Sequence, residues 1–172
     1  MTCQRREEAH ENGAENFIAA LALALGLTAG SPSARSGHFV GTPTCEDTGT
    51  VLSCDGKVAG LGGTTFEIRV SDENALADVT CTNPGGNVVP GQSFEFTAQG
   101  TTGVKQTPRN GQFRFSNLET TAPTAPARSC PNPQWTATVT DVEFSGTTAT
   151  VCLFEGTGAG AVQSQCVQVP IP

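Results

Sequence analysis

An all-β fold, an antiparallel two-sheet sandwich of immunoglobulin-like or related Greek-key topology, is what the sequence predicts, on three observations. After His38 the apolar residues recur at period two and no stretch has helical period. Gly, Pro, Asn and Asp interrupt that alternation every 8 to 14 residues. Six cysteines are spread through the same region. Composition agrees, with 15% charged and 37% hydrophobic residues and 20 Gly and 11 Pro in 172 residues, a turn-rich rather than helical or disordered profile. The expectation is 8 to 9 short strands and about three disulfides in a single domain over residues 38–172, behind a leader over residues 1–37.

The leader is read from its order of residue types. FIAALALALGL, Phe17 to Leu27, is an uncharged run of 11 residues, too short to span a bilayer as a helix but the length of the apolar core of a secretory signal. Small residues follow in TAGSPSARSG, where Thr28/Gly30 or Ser31/Ser33 suit a signal peptidase, so cleavage is expected within residues 30 to 37. The preceding MTCQRREEAHENGAEN departs from the pattern, with two Arg against four Glu, and translation is expected to start downstream of Met1. No Cys follows the apolar run at lipoprotein spacing and VQVPIP ends without an apolar tail, which reads as a released protein with no membrane anchor after signal removal.

The strands follow in order. TVLSC and KVAGL open the domain. In TTFEIRVSD the side chains of Phe66, Ile68 and Val70 share a face opposite Glu67 and Arg69, and in ALADVTCT Ala77, Val79 and Cys81 point inward. QSFEFTAQ buries Phe94, Phe96 and Ala98, and GQFRFSN buries Phe113 and Phe115. WTATVTDVEF alternates through Trp135, Ala137 and Val139 and then changes phase to Val142 and Phe144, which predicts a bulge near Asp141. Trp135 reads as a core anchor. Ser145-Gly146 reads as a hairpin turn into TTATVCLF, pairing Val139 with Cys152 and Ala137 with Phe154, and AVQSQCVQV closes the chain.

Cys3 falls in the leader, leaving Cys45, Cys54, Cys81, Cys130, Cys152 and Cys166, an even number that reads as a disulfide framework in an exported domain. Zinc would need ligands at short spacing, whereas the closest cysteines are nine and fourteen apart and His38 is the only His after the leader. Six cysteines allow about 15 pairings. Locality favours Cys45 with Cys54, Cys152 with Cys166, and Cys81 with Cys130 across the long middle loop.

The same composition limits function. A formal charge of −7 repels phosphate backbones and argues against nucleic acid as a partner. His38, expected in a flexible segment after the leader, has no Ser partner in a nucleophile turn and no second His for a copper site, and no pair of carboxylates is marked as buried, so no catalytic residue, metal or cofactor is assigned. SDENALAD lacks the ligand spacing of a calcium loop. With one Trp and no Tyr the chain has no stacking platform for crystalline polysaccharides. Lys105, Arg109, Arg114 and Arg128 cluster in sequence and form a candidate binding patch for an anionic partner such as a cell-wall polymer, against the plainer reading of a solvated strand face.

VAGLGGTTFEIRV, CTNPGGNVVPGQ, TPRNGQFRF and CPNPQWTATVTDVEF resemble small exported proteins of actinobacteria, with fungal counterparts, that have no assigned activity. The likeness covers roughly residues 38 to 151, and CTNPGGN followed by PGQ is its most specific part. It implies export and a β-rich fold, and it transfers no catalytic or ligand residues. GKVAGLGGTTFEI is more faintly similar to immunoglobulin-like carriers of enediyne antibiotics, whose two short-loop disulfides do not match the cysteine pattern here. The expected function is a secreted, disulfide-stabilised, non-enzymatic extracellular or cell-envelope interaction module with an extracellular or cell-wall partner. The alternative is a carbohydrate- or small-ligand-binding domain, distinguished by a pocket or an exposed aromatic cluster.

Overall fold

The computed structural model describes residues 37–144, 146 and 148–172, all within one compact unit. The expected leader, its apolar core at 17–27 and its cleavage region before residue 37 lie outside the described residues. Among the described residues eleven strands are formed: β1 (His38–Phe39), β2 (Thr44–Asp47), β3 (Leu52–Ala59), β4 (Thr65–Thr82), β5 (Val88–Pro90), β6 (Phe94–Thr101), β7 (Lys105–Gln106), β8 (Phe113–Glu119), β9 (Thr136–Glu143), β10 (Thr148–Glu155) and β11 (Val162–Pro170). All the pairings are antiparallel and they build two sheets.

The smaller sheet is centred on β3. Ser53 and Cys54 pair with both β2 and β8, and Val58 with both β1 and β8, so β1 and β2 share one edge of β3 and β8 takes the other. The larger sheet is centred on the 18 residues of β4. One edge of β4 carries β5, β6 and β7 in succession; the other carries β9 against its far half and β10 against its near half, with β11 outside β10.

Alternation in β4 changes phase partway. Phe66, Ile68, Val70 and Asp72 are buried, Glu73 and Asn74 are exposed, and burial resumes at Ala75, Ala77, Val79 and Cys81. The pairing with β6 slips at the same place, between Asp72 and Ala75. Inserting residues into one strand of a pair bends it, so the strand is turned without being ended. Its near half packs on the small sheet in a core that includes Leu52, Val58, Phe66, Ile68, Val151 and Leu153. Each such side chain contributes about 1.5–3 kcal/mol by leaving water. The far half forms two smaller clusters, Ala75, Ala77, Ala98 and Val142, then Val79, Cys81 and Cys130.

The sheets are tied together along one side by the end of β8. Thr120 donates its backbone N–H to the Leu52 carbonyl at 2.9 Å, while Thr121 donates to the Gln99 carbonyl of β6 at 2.8 Å. Gly100 permits this approach, because a Cβ there would stand 2.1 Å from the Glu119 carbonyl oxygen.

The all-β class, the two antiparallel sheets and the inward positions of β4, β6, β8 and β9 agree with expectation, as does the slip near Asp141, where Asp78 faces Asp141 and Val79 faces Val139. The strand inventory differs. TVLSC and KVAGL are one strand, as are TTFEIRVSD and ALADVTCT, and four strands of two to four residues, β1, β2, β5 and β7, are added. The hairpin at Ser145-Gly146 is overturned. β9 and β10 run in the same direction along β4, so Val139 faces Val79 and Ala137 faces Cys81, while Cys152 faces Arg69 and Phe154 faces Glu67. β9 ends at Glu143 opposite Leu76 and β10 begins its pairing at Thr150 opposite Ser71, so the two strands lie on either side of the bend in β4. His38, expected in a flexible segment, pairs with Ala59 in β1.

Candidate functional site

The outward side chains of β4 are Glu67, Arg69 and Ser71, because Phe66, Ile68 and Val70 take the core. Beside them, β6 presents Gln99 and Thr101, β10 presents Phe154, and the segment Glu119 to Thr121 forms a wall, enclosing an open cleft of 590 Å³. Register explains the assembly: Arg69 lies between Thr101 of β6 and Cys152 of β10, and Glu67 lies opposite Phe154.

Polar groups in the cleft are oriented by one another. Arg69 Nη2 donates to Glu67 Oε2 at 2.7 Å, and the Thr101 hydroxyl donates to Glu67 Oε1 at 2.6 Å while accepting from the Gly103 N–H at 2.9 Å. The guanidinium carbon of Arg69 stands 4.5 Å from the centre of the Phe154 ring. The hydrogen bond from Arg69, then that from Thr101, hold the Glu67 carboxyl below its ordinary value, and the bond to Glu67 raises Arg69. Glu67 therefore stays ionised at neutral pH. It is held as an acceptor of hydrogen bonds. The cleft offers hydrogen-bond donors and acceptors, with the Arg69 guanidinium stacked on the Phe154 ring.

All six expected cysteines are in bridges: Cys45–Cys54, Cys81–Cys130 and Cys152–Cys166. Two are cross-strand pairs, Cys45 facing Cys54 between β2 and β3, and Cys152 facing Cys166 between β10 and β11. Trp135 is half-buried and packs beside the third bridge.

The four basic residues are dispersed. Lys105 of β7 and Arg114 of β8 line a second cleft of 310 Å³ where the edges of the two sheets meet. Arg109 is exposed in the turn closed by the Gly111 N–H to Pro108 carbonyl bond. Arg128 is exposed in the 3-10 turn Ala127–Ser129, next to Cys130. Lys105 is level with Phe66 on β4, whereas Cys130 is bonded to Cys81, fifteen residues further along that strand. That is up to roughly 50 Å of extended chain.

Two features escaped the sequence reading. The first is the Glu67, Arg69, Phe154 grouping, which depends on β10 lying beside the near half of β4. The second is Glu155, which is 0% exposed. Its Oε1 accepts from the N–H groups of Gly62 at 2.8 Å and Gly63 at 3.2 Å, and its Oε2 from the Ser164 hydroxyl at 2.7 Å and the Gly37 N–H at 3.2 Å. Burial pushes its carboxyl pKa up, but the donors, led by Ser164, outweigh burial and hold it below the ordinary value. Period two offered a signal, since Ala149, Val151, Leu153 and Glu155 fall on one face.

Among the described residues no group of three or more His, Cys, Asp or Glu could hold a metal ion, and no helix is long and apolar enough to cross a membrane. Comparison with protein-family models, with curated proteins and with solved structures returns no match.

Proposed function

We propose that the protein is an exported, non-enzymatic interaction module that binds an extracellular or cell-envelope ligand in the cleft on the outer face of the β4 sheet. The observation that carries this reading is the fixed arrangement of Glu67, Arg69 and Phe154 in one cleft. Three disulfides support an oxidising compartment, and the uncharged run from Phe17 to Leu27 supports export. The resemblance to small exported proteins points the same way.

The cleft favours a hydroxyl-rich ligand, a short glycan or a wall-polymer segment. Glu67, Gln99 and Thr101 match hydroxyl groups, and Phe154 with Arg69 gives a single flat surface, not the row of aromatics that a crystalline polysaccharide needs. Soluble glycans and wall-polymer fragments titrated into the protein, followed by amide NMR shifts, test the reading. Shifts should centre on β4, β6 and β10, and Arg69→Ala and Phe154→Ala should each weaken binding by about tenfold, roughly 1.4 kcal/mol. Arg128→Ala should leave binding unchanged. Shifts elsewhere, or none with any fragment, would remove support for the cleft as the binding surface.

A further inference from the structure

Gly37, just before β1, is held by specific contacts. It is buried, and its backbone nitrogen lies 3.2 Å from Glu155 Oε2. A Cβ built on it would meet Leu153 Cδ2 at 2.9 Å and Glu155 Oε2 at 3.0 Å, so a larger residue here would have to push the Leu153 and Glu155 side chains aside. From there the segment is anchored at each step: the Phe39 N–H donates to the Gln165 side-chain oxygen at 2.7 Å, the Val40 N–H donates to the Lys57 carbonyl at 2.8 Å, and Phe39 joins the main core. On the other side of Gly37 the sequence reads Ser33, Ala34, Arg35, Ser36. Ala34 and Ser36 are the small residues that an export-associated signal peptidase takes three and one positions before its cut.

We infer that the bond between Ser36 and Gly37 is the processing site, and that the new α-ammonium of Gly37 forms a buried ion pair with Glu155. In the cleavage, water adds across that amide: its oxygen goes to the Ser36 carbonyl carbon, giving a carboxylate, and the released Gly37 amine takes up a proton. The one N–H that now points at Glu155 becomes one of three on a charged group at the same place. A charge-assisted hydrogen bond is roughly twice as strong as a neutral one, and low polarity around the pair strengthens it further. Processing then completes the fold electrostatically, because Glu155 also receives the amides of the β3–β4 connection and the hydroxyl of Ser164 on β11. The cut would thereby lock three separate stretches of chain onto one carboxylate. It would also leave His38 as the second residue and not the first, which removes the amine-and-imidazole chelate that a copper site at the terminus would need.

Two measurements test it on the full chain. In the first, the chain is expressed in an export-competent host and the N-terminus of the protein in the medium is determined by mass spectrometry. Gly37 is expected, and a terminus at any other residue overturns the assignment of the processing site.

In the second, residues 31–36 of the full chain are replaced by a recognition sequence for a protease that leaves glycine, and the same sample is compared before and after cutting. Release of the Gly37 amine should raise Tm by about 3 °C or more. The amine should titrate about one unit above the ordinary α-amino value and acylate about tenfold more slowly than a free peptide amine at neutral pH. Glu155→Gln should abolish both effects. Should that variant fail to fold, the cut protein acetylated on the Gly37 amine takes its place, and it should melt where the uncut protein does. An unchanged Tm on cutting together with an amine of ordinary reactivity overturns the ion pair.

Discussion

A carboxylate removed from water must be compensated by hydrogen bonds or it will not remain ionised. Glu155 has four donors from three segments outside its own strand, and the result is a folded-state pKa below the ordinary carboxylate value. The consequence for stability has a definite sign. A depressed value means that the unfolded chain binds the proton more readily, so the contribution of Glu155 is fully present above the unfolded value near 4.3 and is lost as pH falls through the folded value. Glu155→Gln removes the titration and turns an amide donor toward donors that need an acceptor. It should lower the unfolding free energy by about 2 kcal/mol at pH 7, with the gap to the native chain narrowing as pH falls below about 4. Urea unfolding of both proteins from pH 7 to pH 3 checks this; parallel curves would show that Glu155 does not titrate on its own account. The position was readable in principle, as the fourth inward residue after Ala149, Val151 and Leu153. What could not be read was its set of partners, because Gly37, Gly62 and Gly63 carry no side chain to announce an anion.

Individual strands were legible because alternation is a local property. The inward faces of β4, β6, β8 and β9 follow directly from it. Partner choice is non-local, and there the reading of β9 and β10 failed. A hairpin at Ser145-Gly146 satisfies the local turn chemistry and even places apolar residues opposite one another. A single bent β4 satisfies the same residues and also buries both of its halves. The grouping of Glu67, Arg69 and Phe154 was lost with that choice, since it needs β10 beside the near half of β4. Closure between the sheets rests on backbone approach at Gly100, which no pattern of side chains reveals. Gly100→Ala would place a methyl group against the backbone of Glu119 and Thr120, where the contacting atoms cannot rotate away. The expected cost is about 3 kcal/mol, with loss of hydrogen-exchange protection at the Thr121 amide, whose acceptor is Gln99. Protection at the β10 amides should persist; equal loss at both sites would mean that the Thr120–Thr121 link between the sheets does not open locally.

Across the whole described unit the apolar core is unequally divided. The near half of β4 lies in a cluster of fifteen buried residues, whereas its far end has three, Val79, Cys81 and Cys130, two of which are the bridge itself. Stability at that end therefore leans on the Cys81–Cys130 link, which closes a span of 49 residues, and less on apolar burial. In the chain-entropy account a loop of that length is worth about 4 kcal/mol, against about 2.5 kcal/mol for the nine-residue span of Cys45–Cys54. Replacing Cys81 and Cys130 together by Ala should then do more than lower stability. It should uncouple the two ends, because the near core keeps its packing while the far end keeps only the half-buried Phe94, Ala125, Trp135, Ala137 and Val139 around it. The single Trp of the chain and the absence of Tyr make this directly observable, since intrinsic fluorescence is dominated by Trp135 at the far end while far-ultraviolet circular dichroism reports on all the strands. In the parent protein both probes should follow one transition in guanidinium. In the Cys81→Ala, Cys130→Ala variant the Trp135 transition should come first, at a lower midpoint than the loss of strand signal, which is the failure of two-state behaviour expected when one part of a domain loses its link to the rest. Coincident transitions at a lowered midpoint would instead show that the bend in β4 transmits order by itself, and that the bridge stabilises the unit as a whole.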